Sequence, residues 1–162
     1  MTRPILYISG PYSAGNGRTV ADNIAVARRY AVAAANAGWM PFTPHLNTAH
    51  FEVDCPNVSH EEWLAGDLAI LDLLDPATDA MLLLPDWLES PGAVREYHRA
   101  MARGIEVIYP VTSPDAIPPA TGRGVCEYYR QVHYETDSRD TCGSGRARCP
   151  PGKTCPIRRR CR

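Results

Sequence analysis

The fold of this chain is constrained most by an alternation of short apolar runs with longer segments of helical periodicity. Each apolar run is short enough for one strand, and the runs occupy residues 5–9, 39–42, 80–84 and 105–109. Residues 80–84 are apolar throughout, which is typical of a central parallel strand buried on both faces. Strands that alternate with helices predict βαβ units and a parallel sheet. We therefore expect an α/β domain.

Capping residues predict where the helices begin and end. Two helical segments begin with Thr or Ser followed three residues later by an acid, and a third begins with Ser-Pro. The capping residues are Thr19 with Asp22, Ser59 with Glu62, Ser90 with Pro91, and the terminating glycines Gly38 and Gly104. They predict helices over residues 19–37, 59–74 and 90–103. Residues 43–58 contain two prolines and two asparagines and are expected to form an ordered but irregular loop.

Charge and cysteine content divide the chain near residue 110. Residues 1–110 carry 7 Arg and no Lys against 13 acids, whereas residues 111–162 carry 10 Lys or Arg against 5 acids. We predict an α/β domain over residues 1–110 and an irregular, basic, Cys-rich extension over residues 111–162, in which residues 125–132 are the one candidate for a short element. The last four cysteines, without the C-x₂-C spacing of zinc knuckles, are Cys142, Cys149, Cys155 and Cys161. A disordered tail is favoured, and a zinc site or weak nucleic-acid binding are the alternatives.

No segment has the features of a secretory signal or of a membrane span. The first apolar run is too short for the core of a signal peptide, and no stretch approaches the roughly 20 apolar residues that a span requires. Disulfides are therefore not the default interpretation of the cysteines. We expect a cytoplasmic protein that does not bind membranes.

Ser90 and Glu96 on the last predicted helix are candidates for binding one ligand. Ligands of parallel sheets bind beyond the carboxyl ends of the strands, so the loop after Ser9 and residues 85–92 share one rim. Ser90 and the free N–H groups of the following turn form an anion site of the kind that a 5′-phosphate occupies. Glu96 lies on a face with Ala93 and Ala100, beside a stripe with core spacing made of Val94, Tyr97, Met101 and Ile105. The alternatives are a plain N-cap for Ser90 and a solvated acid favoured by the helix dipole for Glu96.

Asp67 interrupts the apolar stripe of the preceding helix, which includes Trp63, Ile70 and Leu74. An acid on a core-facing edge is either paired structurally or functional. If this helix faces the same rim, Asp67 and Glu96 make a carboxylate pair. Such a pair can divide glycosidic-bond chemistry between a nucleophile and a proton donor.

The loop over residues 10–18 has three glycines, but it contains neither the dinucleotide fingerprint nor the phosphate-loop pattern. Arg18 can supply a cation for a nucleotide, and a flexible connector is the alternative. The residues His45, His50, Cys55 and His60 recur at intervals of five, which fits no standard zinc spacing. We expect neither a metal nor another cofactor.

Together these residues resemble the nucleoside 2-deoxyribosyltransferase superfamily, in particular its 2′-deoxynucleoside 5′-phosphate N-hydrolase branch and similar phage-encoded proteins. The segments that carry the resemblance are 6–10 (LYISG), 66–68 (GDL) and 90–96 (SPGAVRE). The last is the most specific, because in that family an acid six residues after the phosphate-contacting Ser is the nucleophile, and Glu96 follows Ser90 at this interval. The resemblance covers about residues 5–109. It implies a flavodoxin-like (Rossmann-like) sheet of about five strands and a homodimer with composite active sites.

The resemblance also implies roles for individual residues. Glu96 would be the nucleophile, Asp67 the acid that assists departure of the base, and Tyr7 the tyrosine near the sugar and the nucleophile. The substrate contacts would be Gly10, Tyr12, Arg18, His45, Ser90 and Gly92. Residues 72–76 look like an insertion before the third strand, so Asp72 remains a competitor for the role of the acid.

The expected function is hydrolysis of the N-glycosidic bond of a deoxynucleoside or nucleoside 5′-monophosphate through a glycosyl-Glu96 intermediate. The alternatives are a deoxyribosyltransferase that passes the sugar to a second base, a nucleotide-binding protein without turnover, and a DNA-binding protein that acts through the basic tail. Transferases that act on nucleosides usually have an acid where Ser90 stands, which favours hydrolysis. The base and the choice between deoxyribose and ribose stay open.

Overall fold

The computed structural model describes residues 2–15, 17–109 and 113–120, and the backbone of residues 141–142 and 146–147. The chain forms two compact units, Met1–Gly122 and Arg123–Arg162. In the second unit the strands Thr141–Cys142 and Arg146–Ala147 pair in antiparallel fashion. The element predicted at residues 125–132 and the side chains of the tail cysteines lie outside the described residues.

Strands and helices alternate along the first unit. The strands are β1 (Ile5–Ser9), β2 (Met40–Phe42), β3 (Ala80–Leu83) and β4 (Glu106–Ile108). The helices are α1 (Val20–Asn36), α2 (Pro44–Asn47), α3 (Phe51–Asp54), α4 (His60–Leu71) and α5 (Pro91–Arg103). Short 3-10 turns occupy Trp87–Glu89 and Pro114–Ala116. Among the residues that the structure describes, no helix is both long and apolar enough to cross a membrane.

The four strands form one parallel sheet in the order β2-β1-β3-β4. Tyr7 of β1 stands opposite Phe42 of β2 on one side and Met81 of β3 on the other. All four residues of β3 are buried, as expected of a central parallel strand. The predicted α/β class with a parallel sheet flanked by helices is confirmed.

The two faces of the sheet are covered by different helices. On one face, Tyr7, Met81 and Leu83 pack in a core with residues from α4 and α5, among them Leu71 and Ala100. Side chains alternate along a strand, so the intervening residues point to the opposite face. Helix α1, which contacts β1 and β2, covers that face. Tyr7 and every second residue of β1 therefore face α5.

The structure confirms the predicted helix starts. Both capping boxes form, at Thr19 and Ser59, and Ser90 caps α5 ahead of a proline. Helix α4 ends at Leu71, earlier than the predicted residue 74, because the amides of Leu73 and Leu74 form i→i+3 hydrogen bonds in place of the helical i→i+4 bonds.

Residues 43–58 are more regular than the irregular loop that we predicted. They contain the single-turn helices α2 and α3. Pro44 occupies the first turn of α2, where its missing N–H has no partner to lose. His50 precedes α3 with a left-handed backbone, φ 62°, which turns the chain between the two helices.

Residues 113–120 pack against the same unit as β1–β4. They lie beyond residue 110, where we predicted that the α/β domain ends. The indole Nε1 of Trp39 donates to the carbonyl of Pro118 at 2.8 Å, and the amide of Ala120 donates to the carbonyl of Ala37 at 2.9 Å. These bonds attach the segment to the end of α1.

Candidate active site

The buried face of α5 is made of small residues and one acid. Ala93, Glu96 and Ala100 are its buried residues, and Glu96 is only 6% exposed. We expected Met101 in the core stripe, but its side chain is 42% exposed, so that prediction was wrong. Ile105 of the same stripe does belong to the core, and Tyr97 packs against it, so the departure concerns Met101.

Two hydroxyl groups of β1 hold the carboxylate of Glu96. The hydroxyl of Tyr7 donates to Oε1 at 2.7 Å, and the hydroxyl of Ser9 donates to Oε2. Tyr7 and Ser9 are both fully buried. Our sequence reasoning chose Tyr7 but missed Ser9. The alternation of side chains along a strand could have indicated Ser9, because Tyr7 and Ser9 are two residues apart and so share one face of β1.

The environment of Glu96 shifts its pKa in both directions. Burial is the largest cause and raises the pKa of Glu96 to about 7, and the negative charge of Asp67 acts in the same direction. The hydrogen bonds from Ser9 and Tyr7 oppose this rise, because they stabilise the charged form. Burial and the neighbouring carboxylates raise the pKa of Tyr7 well above its ordinary value, so Tyr7 stays a phenol and a donor.

Asp67 is the second carboxyl group of the site. Burial raises the pKa of Asp67 to about 6, and His60 partly opposes that rise. Among the described residues no hydrogen-bond donor contacts its carboxylate. Its charge raises the pKa values of both Tyr7 and Glu96, so Asp67 lies within electrostatic range of them. A half-buried acid without a donor is the kind of group that holds a proton near neutral pH.

Asp72, which the sequence left as a competitor, has a different environment. Its carboxylate accepts from Nε of Arg99 at 2.7 Å, and Arg103 lies 3.7 Å away. The hydrogen bond from Arg99 is the largest cause of a lowered pKa at Asp72. Asp72 is therefore an ion-paired carboxylate, and Asp67 is the acid that interacts with Glu96.

Ser90 and the two glycines near the rim have distinct local roles. The Ser90 hydroxyl accepts from the amide of Ala93 at 3.3 Å, as an N-cap does. A Cβ on Gly92 would meet only ordinary contacts, the nearest being the Ser90 hydroxyl at 3.8 Å. A Cβ on Gly10 would lie 2.6 Å from Cβ of Leu84, so Gly10 is required by close packing at the ends of β1 and β3.

Arg18 and Tyr12 connect the loop after β1 to its two neighbours on the rim. Arg18 forms a 2.8 Å ion pair with Asp86, which follows β3. The hydroxyl of Tyr12 donates to Glu52 of α3 at 2.8 Å and accepts from the amide of His50 at 2.9 Å. The loops that follow β1, β2 and β3 are thus connected by side chains.

His45 is buried beneath the loop after β1. Its Nε2 lies 2.8 Å from the carbonyl of Pro11, and the ring of Tyr12 stands edge-on to it with the ring centroids 5.9 Å apart. Nδ1 is buried and has no hydrogen-bond partner among the described residues. Burial is the largest cause and lowers the pKa of His45, which favours the neutral ring, and a proton on Nε2 would suit the carbonyl of Pro11.

The structure joins Tyr7, Ser9 and Glu96 by hydrogen bonds, and Asp67 acts on this cluster through its charge. It holds Tyr12 and Arg18 in the loop after β1 and His45 in α2, beneath that loop. The substrate contacts of these residues and of Ser90 stay predictions. Within the described part of the chain, no three His, Cys, Asp or Glu side chains are grouped so that they could hold a metal ion.

A comparison with curated proteins found no match. Residues 4–110 match a family that is described as a domain of unknown function, DUF7768. The match spans the whole parallel sheet and every member of the cluster from Tyr7 to Glu96. The chain therefore belongs to the DUF7768 family.

Proposed function

We propose that this protein hydrolyses the N-glycosidic bond of a deoxynucleoside 5′-monophosphate and that Glu96 is the nucleophile. The observation that carries the proposal is the buried carboxylate of Glu96, held by Tyr7 and within electrostatic range of a second acid, Asp67. Enzymes that cleave a glycosidic bond through a covalent intermediate commonly use two carboxyl groups in one site. The resemblance to the 2′-deoxynucleoside 5′-phosphate N-hydrolases gives the same assignment.

The reaction takes two steps. In the first, a carboxylate oxygen of Glu96 bonds to C1′ of the sugar, the C1′–N bond breaks, and the base leaves with the electron pair and a proton from Asp67. In the second, water attacks C1′, its proton passes to Asp67, and the bond to Glu96 breaks. The products are the free base and deoxyribose 5-phosphate, and both acids return to their starting states.

The raised pKa values of the two acids bear on this division of roles. The pKa of Asp67 is raised to about 6 and that of Glu96 to about 7, so the pair carries one proton in this range. Such groups titrate as a pair. Both hydroxyl donors contact Glu96, and among the described residues none contacts Asp67. By these values Glu96 keeps its proton to a higher pH than Asp67, so the reaction requires the form of the pair in which the charge lies on Glu96, between its two hydroxyl donors, and the proton on Asp67.

The phosphate end of the substrate would bind at the start of α5. The Ser90 hydroxyl and the N–H groups of the first turn lie at the N-terminal end of α5, where the helix dipole favours an anion. Arg18 supplies a cation on the same rim, and the phosphate would compete with Asp86 for it. The resemblance further implies a homodimer, in which the partner subunit would complete the site.

The test is a chromatographic screen of deoxynucleoside and nucleoside 5′-monophosphates for release of free base. We expect release by the wild-type chain and a loss of more than a hundredfold in Glu96→Gln, the loss typical of a missing nucleophile. Glu89→Gln is the matched control, because Glu89 is exposed in the turn before Ser90. If Glu96→Gln releases base as fast as wild type, the proposal is wrong.

Two additions to the same assay separate the rival functions. An added acceptor base that is converted to a new deoxynucleotide would show base transfer rather than hydrolysis. Tight binding of a nucleotide without base release over hours would show a binding protein. Deoxynucleosides without phosphate should be poor substrates, because they cannot use the site at Ser90.

A further inference from the structure

Ser9 is the last residue of β1 and takes no part in the bond making or bond breaking of the reaction proposed above. Its side chain is fully buried, and its hydroxyl donates to Oε2 of Glu96 while Tyr7 donates to Oε1. Each oxygen of the carboxylate thus has its own donor. A carboxylate with one donor can still rotate about its terminal bond, whereas one with a donor on each oxygen is fixed in its plane.

We propose that Ser9 is a positioning residue for Glu96. Ser9 and Tyr7 together form a two-hydroxyl clamp that orients the attacking carboxylate. The inference rests on the proposed function in assigning Glu96 as the nucleophile. The clamp itself is a statement about two side chains and can be tested without substrate.

The backbone of Ser9 is held independently of its side chain. Its carbonyl accepts from the amide of Leu84 at 2.7 Å, and the residue is in register with Leu83 of β3. Removing the hydroxyl therefore leaves the strand in place and takes away only the donor to Oε2. The carboxylate that remains is buried, so water cannot readily replace the lost donor.

The charged and titratable groups near Glu96 predict the direction of the effect. Tyr7 on β1 and Asp67 on α4 face it, and β3 is apolar. Glu89 in the preceding turn and Glu106 on β4 lie on the other elements packed against α5. The hydrogen bond from Ser9 is the strongest influence that lowers the pKa of Glu96. Its removal should therefore raise the pKa of Glu96.

The experiment compares wild type with Ser9→Ala, Ser9→Cys and the distant control Ser113→Ala. Carboxyl ¹³C resonances of labelled glutamate, assigned with Glu96→Gln, report the titration of Glu96 without substrate. We expect its pKa to rise in Ser9→Ala and to change less in Ser9→Cys, which keeps a weak donor of similar size. Ser113→Ala should match wild type.

Base release measured against pH gives the second readout. We expect kcat of Ser9→Ala at pH 6 to fall by roughly tenfold, the factor that one hydrogen bond to a charged group is worth. KM should stay within about twofold, because Ser9 does not bind the substrate in the proposed reaction.

The outcomes separate the two proposals. An unchanged or lower pKa of Glu96 in folded Ser9→Ala overturns the role of Ser9, even if the chain releases base. A raised pKa in a chain that releases no base supports the clamp and contradicts the proposed function. If Ser9→Ala does not fold, the pKa of Glu96 is measured in Ser9→Cys instead. A pKa of Glu96 equal to that of wild type in Ser9→Cys overturns the role of Ser9.

Discussion

The hydroxyl of Tyr7 donates to Oε1 of Glu96 at 2.7 Å, which joins the first strand of the sheet to α5 across 89 positions of the chain. Tyr7 also packs its ring against Phe42 with the centroids 5.6 Å apart. The tyrosine therefore has two separable functions. Its ring belongs to the core, and its hydroxyl belongs to the candidate site.

Tyr7→Phe should separate these functions. The ring and its packing remain, but Oε1 of Glu96 loses its donor within a buried site. We expect base release to fall by about tenfold to a hundredfold and the free energy of unfolding at pH 8 to fall by about 1–3 kcal/mol. Tyr97→Phe is the control, since it removes a hydroxyl that pairs with Tyr109 at 3.1 Å. An active Tyr7→Phe enzyme with wild-type kinetics would contradict this prediction.

Stability should depend on pH through Glu96. Its pKa is about 7 in the folded chain, against an ordinary value of 4.5, so the folded state binds the proton more tightly. The sign follows from linkage: the stabilisation is complete below about pH 4.5 and is lost as pH rises through about 7. Glu96→Gln, which is never charged, should therefore be more stable than wild type at pH 8, by on the order of 1–3 kcal/mol.

Urea unfolding of both proteins at pH 5 and at pH 8 measures this difference. The advantage of Glu96→Gln should shrink at pH 5, where wild-type Glu96 is itself protonated in the folded state. An advantage of equal size at both pH values would show that burial of the charge is not its cause.

Asp67→Asn and Asp72→Asn should differ in activity. Asp67 supplies the proton for the departing base in the proposed reaction, so its loss should lower kcat by about a hundredfold or more. Asp72 is paired with Arg99, and its replacement should leave kcat nearly unchanged. A substrate with a 4-nitrophenol leaving group needs no proton, and it should restore most of the activity of Asp67→Asn. The result that contradicts this assignment is a larger loss of activity in Asp72→Asn.

Asp79 should matter for stability and not for the reaction. Its buried carboxylate accepts from the amide of Ile5 and from the amide of Asp75, each at 2.8 Å. An asparagine has one acceptor oxygen, so Asp79→Asn leaves one amide without a partner and should cost about 1–3 kcal/mol. Urea unfolding measures the cost, with the exposed Asp115→Asn as control. The pH profile of base release should match wild type.

Much of the fold could be predicted from local signals. The apolar run at 80–84 and the capping boxes at Thr19 and Ser59 depend on neighbouring residues only, and the structure contains the strand and both boxes. The two single-turn helices within residues 43–58 could not be predicted. Single turns gain little from propensity, and α3 depends on a left-handed His50 whose amide is bound by Tyr12.

Residues of the candidate site could be predicted where they belong to a sequence motif. They could not be predicted where their environment depends on tertiary packing. Glu96 and Ser90 stand at a recognisable interval, but spacing alone favoured Met101 for the core. The different environments of Asp67 and Asp72 could not be predicted from the sequence, because Asp72 pairs with Arg99 on another helix. Ser9 was missed because a serine that ends a strand is common, and its role depends on a carboxylate 87 positions away.

The carboxylate cluster and the rim contacts belong to different parts of the fold. Tyr7, Ser9 and Glu96 stand on β1 and α5, whose backbones are fixed by the sheet and by helical hydrogen bonds. Glu52 and its partner Tyr12 belong instead to single-turn and loop segments. Substitutions in the latter can change the rim contacts without changing the contacts that Tyr7 and Ser9 make with Glu96. Members of the family that keep this cluster can therefore differ at the rim.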